Sequence, residues 1–175
     1  MRILFVLLLF VSISGSAQKL SAEKSKVSFF SQAAIEDIKA ENTKSISILN
    51  LATGEVAFSI PISDFEFEKS LMKQHFNEKY LESEKYPKST FAGKLGGFDP
   101  AKKSIQQVTA KGKLTIHGVT QEVIIPGTID LTGNQIVAKS VFKVKLVDYK
   151  IKIPKMVWQK IAEEIEVTLE FNYKL

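Results

Sequence analysis

Three features of the sequence predict an all-β protein: a closed antiparallel barrel of about eight strands, with one amphipathic helix and a short second helix. Alternation of apolar and polar residues recurs along the 175-residue chain, giving each segment a single dry face. Connections between most of these segments are short, which makes sequence neighbours antiparallel. Eight such strands escape bare edges only when the sheet closes on itself. The pattern alone also leaves a two-sheet sandwich open.

The first residues stand outside that pattern. Met1 and Arg2 precede Ile3–Ile13, nearly all apolar, and then Gly15, Ser16 and Ala17, the small residues a signal peptidase needs. A membrane anchor needs roughly 20 apolar residues, and this run is nearer half that. Residues 1–17 therefore read as a cleaved signal peptide and 18–175 as one domain. No cysteine occurs anywhere in the chain, which leaves no site for a lipid tether and no disulfides to support the core. The mature protein is expected to be periplasmic or secreted, without stable membrane insertion.

Val27–Ser31 is β-prone and starts the fold, whereas Ala34, Ile35 and Ile38 fit either a helical turn or a short strand. Ile46–Leu51 and Glu55–Ile62 form a hairpin around Thr53-Gly54, with Val56, Phe58, Ile60 and Ile62 on one face and Pro61 marking an edge or strand end. Ser70 then caps a helix in which Met72, Phe76 and Tyr80 recur every fourth residue, with His75 at the margin of that stripe. Tyr86-Pro87 forces extension, and Thr90–Leu95 runs as a strand to the turn cluster Gly96–Pro100.

The strongest single signal is the hairpin that follows. Val108, Ala110, Gly112, Leu114 and Ile116 alternate with polar residues, His117-Gly118 interrupts, and alternation resumes with Val119, Gln121, Val123 and Ile125, as a tight reversal requires. Ile136 to Leu146 alternates next, and a parity shift at Asp148-Tyr149 predicts a bulge. Pro154 opens a short helical piece carrying Val157, Trp158 and Ile161. Ile165, Val167, Leu169, Phe171 and Tyr173 close the chain as its cleanest strand. The small residues Ala110, Gly112, Ala138 and Ser140 on dry faces predict space inside the barrel, where a ligand can sit.

Loss of Arg2 with the signal lowers the net charge from +5 to +4. The lysines are spread over alternating strand positions, which describes solvated outer faces and excludes a nucleic-acid groove. No Gly-x-Ser-x-Gly elbow is present, and His75 and His117 are the only histidines, so acid–base chemistry near neutral pH has only those two candidates. His75 with Glu78 supplies two metal ligands where a site needs three or four, so no metal is expected.

Two stretches, Leu71-Met72-Lys73-Gln74-His75-Phe76 running to Lys85-Tyr86-Pro87-Lys88-Ser89-Thr90-Phe91, and Gly112-Lys113-Leu114-Thr115-Ile116-His117-Gly118-Val119-Thr120, resemble the YceI-like family of bacterial periplasmic proteins. Phe142–Tyr149 is similar to the family's penultimate region, whereas Ser25–Phe30 lacks the histidine usual near the first strand. The resemblance implies a lipocalin-like barrel enclosing a long hydrophobic cavity, which in characterised members holds a polyisoprenoid or another long-chain amphiphile.

Face assignment and resemblance together predict a lining of Phe58, Ile60, Met72, Phe76, Phe91, Ala110, Gly112, Leu114, Ala138, Phe142, Val144 and Trp158. His75, Tyr86 and His117 are the candidates for polar contacts at the cavity mouth, although a hydrogen bond fixing the hairpin turn is the competing role for His117. The expected function is a non-enzymatic binding protein that transports, stores or sequesters a small hydrophobic or amphiphilic ligand, with no other cofactor. A lipid-acting enzyme using His75 and His117, and a stress-related structural module filled by its own phenylalanines, are the alternatives. Oligomeric state is left open, a homodimer included.

Overall fold

The structure, a computed structural model, describes residues 19–32, 37–153 and 162–175. The signal segment, Ala34 and Ile35, and the Pro154 piece with Val157, Trp158 and Ile161 lie outside the described residues. The strands are β1 (Lys19–Ser31), β2 (Ile38–Asn42), β3 (Ile46–Asn50), β4 (Glu55–Pro61), β5 (Glu66–Phe67), β6 (Lys88–Gly96), β7 (Ile105–Ile116), β8 (Val119–Asp130), β9 (Gln135–Lys145) and β10 (Glu164–Lys174). Eight of them close a ring in the order β1, β3, β4, β6, β7, β8, β9, β10, and β10 pairs back onto β1. The barrel is closed, not a sandwich.

The two short strands are offshoots of their neighbours. β1 pairs with β3 (Lys19↔Asn50) and with β2 (Val27↔Asn42) in one continuous register, so β2 and β3 are a single strand broken at Thr43–Ser45. Asn42 holds the break: its Nδ2 donates to the Pro61 carbonyl at 2.8 Å, and its Oδ1 accepts from the Lys44 N–H and the Ser45 hydroxyl. Opposite, a 3-10 turn at Ile62–Asp64 separates β4 from β5, and β5 pairs with β2. Pro61 is the last residue of β4, where a missing N–H costs least.

Alternation is obeyed where it was legible. Along β7 the even residues turn inward and Leu114 is buried, and His117 and Gly118, both at positive φ (51° and 72°), make the tight turn into β8 that two left-handed residues favour. β3 inverts the usual assignment. Ile46 and Ile48 face out, while Ser47 faces in, held by the Tyr173 hydroxyl at 2.6 Å and the Ala57 carbonyl at 2.9 Å. Between β8 and β9 ladder pairing is limited to Thr128–Asp130 against Val137–Lys139. Pro126 has no N–H to offer there, and the Ser140 hydroxyl donates to its carbonyl at 2.6 Å.

The helix is shorter and less regular than the periodicity predicts. Ser70–His75 is α-helical (α1), and Phe76–Tyr80 continues as a π-helical turn. Ser70 is its first residue and makes no capping bond; Lys69, in an extended conformation, occupies the cap position. The parity shift near Asp148 is a 3-10 turn over Leu146–Tyr149, ended by left-handed Lys150 (φ 57°), and not a bulge. At one end of the barrel Leu49, Ile129, Ile136 and Tyr173 are buried in the core. At the other end the helical segment contributes to the lining of a cavity.

Candidate functional site: an apolar cavity beneath the helix

The cavity has a volume of about 380 Å³. Its walls come from the inward residues of β1, β4, β7, β9 and β10, including Val27, Phe58, Ile60, Leu114, Val144 and Val167; the helical segment adds Leu71, Met72, His75, Phe76 and Tyr80. These positions share a face because strand side chains repeat every second residue and those of the helical segment every three to four. Phe76 anchors the segment, with ring centroids 5.4 Å from Phe29, 5.5 Å from Phe65 and 5.0 Å from Phe67. Phe58 borders the cavity and stacks on Phe91 at 5.1 Å and on Phe171 at 5.8 Å. Beyond that stack lies a second, smaller space of about 70 Å³.

Seven apolar residues expected in the lining border the main cavity: Phe58, Ile60, Met72, Phe76, Leu114, Phe142 and Val144. Phe91, Ala110 and Ala138 border the smaller space instead. Gly112 borders neither. It lies opposite Gly93 in the β6–β7 ladder, and a Cβ on it would run into the Ala92 carbonyl and the Gly93 Cα. The glycine pair thus lets two strands approach, and the space it was read as leaving for a ligand is taken up by backbone.

Of the three polar candidates, only His75 borders the cavity. His117 and Tyr86 meet elsewhere, their rings in an edge-on contact at 4.6 Å. His117 Nδ1 lies 3.3 Å from the Tyr149 carbonyl and Nε2 lies 2.6 Å from Glu82 Oε2. Both ring nitrogens thus face oxygen acceptors, and the Nε2–Glu82 contact is an ion pair when the imidazole is protonated. This cluster ties the residues after the helical segment to the β7–β8 turn and to the 3-10 turn at Tyr149. Glu82 and His117 both hold positive φ to make it (44° and 51°).

Polar groups in the cavity wall are few. Ser31 is satisfied, its hydroxyl accepting from the Ala162 N–H at 3.0 Å. Burial pushes the Tyr80 phenol above its ordinary value, which keeps it neutral. Ser89, 7% exposed, also lines the cavity. Alternation marks Ser89 as sharing a face with Phe91, and Ile165 and Val167 as inward on the last strand. Phe65 and Phe67 carry no such signal, since the chain around them is a 3-10 turn and a two-residue strand. Among the described residues no group of three or more His, Asp or Glu side chains is placed to hold a metal ion.

The family model for the YceI-like domain matches residues 18–173. The chain belongs to the YceI-like family. Solved structures agree on the fold. A polyisoprenoid binding domain from Saccharophagus degradans, implicated in plant cell wall breakdown, superposes with a TM-score of 0.75 at 14% identity over 89% of this chain and 97% of that one. BcnA of Burkholderia cenocepacia gives 0.69 at 22% identity over 85% and 95%. The YceI protein of Campylobacter jejuni gives 0.60 at 15% identity over 100% and 91%. A search of the curated proteins finds no match. This YceI-like barrel therefore shares its architecture with these three structures, at identities that speak for the fold alone.

Proposed function

We propose that this YceI-like protein is exported and holds a long apolar chain in the barrel cavity, for transport, storage or sequestration. The observation that carries the reading is a cavity of about 380 Å³ with almost entirely apolar walls, within the size range of small-molecule sites. At about 30 Å³ per small group, such a space takes on the order of a dozen methylene-sized units. Burying ten of them contributes roughly 8 kcal/mol, enough to offset much of the motional freedom lost on binding. The polyisoprenoid-binding relative supports an isoprenoid or similar lipid as the ligand class. An enzymatic reading would need His75 and His117 in one site, and His117 is outside the cavity lining with both nitrogens engaged.

The test is native mass spectrometry, with organic extraction, of the mature protein purified from its own cell envelope. A stoichiometric molecule with an apolar chain is the expected result. Ligand-free protein that also takes up no long-chain amphiphile in vitro would overturn the reading.

A further inference from the structure

Among the described residues of the cavity wall, Ser89 is the most buried polar side chain that makes no hydrogen bond to another described residue. Its neighbours on the inward face of β6 and across the ladder are apolar: Phe91 follows at the next inward position, and Ile60 lies opposite in β4. The other buried serines on the inner surface are served, Ser31 by the Ala162 N–H and Ser47 by Tyr173 and the Ala57 carbonyl. Ser89 makes no hydrogen bond to any described residue, though it is 93% buried and lines the space. Its oxygen is not among the unpaired ones that protein atoms seal off, hydroxyls in so apolar a wall are normally paired, and a water here would find few of the several polar partners it needs. A strand position that alternation reserves for an apolar residue is thus occupied by one donor and acceptor in the wall of a cavity.

We infer that Ser89 is a ligand-binding residue, and that the ligand carries a hydrogen-bonding oxygen on its chain, of the ketone, ester or alcohol kind, where a pure hydrocarbon would leave the hydroxyl unpaired. The inference rests on the chain-binding reading above and adds the chemistry of the ligand to it. An uncharged oxygen fits best, since none of the described residues lining the cavity is a lysine, arginine, aspartate or glutamate, and His75 is the one lining residue that can carry a charge near neutral pH.

Displacement of N-phenylnaphthylamine from the mature protein by two probes of similar length, methyl undecyl ketone and tridecane, tests this. The parent protein is expected to bind the ketone about tenfold more tightly than its larger size alone predicts, the worth of one hydrogen bond. Ser89→Ala should remove that preference while tridecane binds as before, which also reports that the variant is folded; Ser89→Thr, which keeps the hydroxyl, should retain it. A ketone preference that survives in Ser89→Ala, or none in the parent, overturns the role of Ser89 and leaves the cavity reading standing. Failure of both probes to bind the parent overturns both readings.

Discussion

At the scale of single residues, the informative positions are those where a side chain does something its sequence neighbourhood does not announce. Tyr173 is buried in the closed end of the barrel, and burial pushes its phenol up to about 12 from 10.0, only partly offset by the bond to Ser47. The folded state therefore holds the phenolic proton more tightly than the unfolded chain. The stability this contributes is complete below about pH 10 and is lost as pH rises from there through about 12, roughly 2–3 kcal/mol in all. Urea unfolding across that range should show the loss in the parent and a flatter profile in Tyr173→Phe. That variant should start about 1 kcal/mol less stable, because Ser47 keeps its bond to Ala57. Gly112 is the second such position. Gly112→Leu is expected to destabilise the fold by about 3 kcal/mol or more, since backbone leaves no room for a Cβ; a urea midpoint equal to the parent's would mean that β6 and β7 can separate at no cost. Gly112 was legible as a small residue on a dry face, but the partner that explains it, Gly93, is a long-range neighbour that alternation does not reveal.

At the scale of elements, the strands were legible and the helical segment only in outline. β7, β8, β9 and β10 follow the period-2 pattern because one face of each meets the interior and the other meets water. The Met72, Phe76, Tyr80 stripe located the helix, yet nothing in that spacing distinguishes an α turn from the π turn that Phe76–Tyr80 adopts. Nor did it foresee that Glu82, His117 and Tyr149 would pin the far side of the segment. His117 was therefore better read from its place in a turn than from its chemistry. The aromatic anchor gives the segment a measurable property. Phe76→Ala should leave the barrel intact but speed amide hydrogen exchange across residues 70–80 by tenfold or more, with the β7–β8 amides unchanged. Equal acceleration in both regions would show that the segment and the wall open together.

At the scale of the whole molecule, a hollow barrel followed from counting one-faced strands, whereas the depth of the hollow did not. Small residues pointed to space inside the barrel, but Ala110 and Ala138 border only the lesser space, beyond the stack of Phe58, Phe91 and Phe171. Aromatic rings fill what small residues leave, and sequence does not show which rings meet. A ligand that occupies the main cavity binds the folded state alone, so methyl undecyl ketone at a hundred times its dissociation constant should stabilise the protein by about 2.7 kcal/mol. For a chain of this size that raises the melting temperature by several degrees, and an unchanged melting curve would mean that the ketone does not bind the folded state in preference to the unfolded chain. The closing seam between β1 and β10 carries a further consequence. Val27 meets Leu169 and Phe29 meets Val167, so the second edge of the sheet stays bare until nearly the last residue of the chain is available. A chain emerging from its N-terminus can curl but cannot lock, and its first strand has to wait, exposed, for its last. The barrel is in that sense a knot tied from both ends at once, and any factor that guards this chain while it is made or moved has one particular thing to shield: the unpaired side of β1.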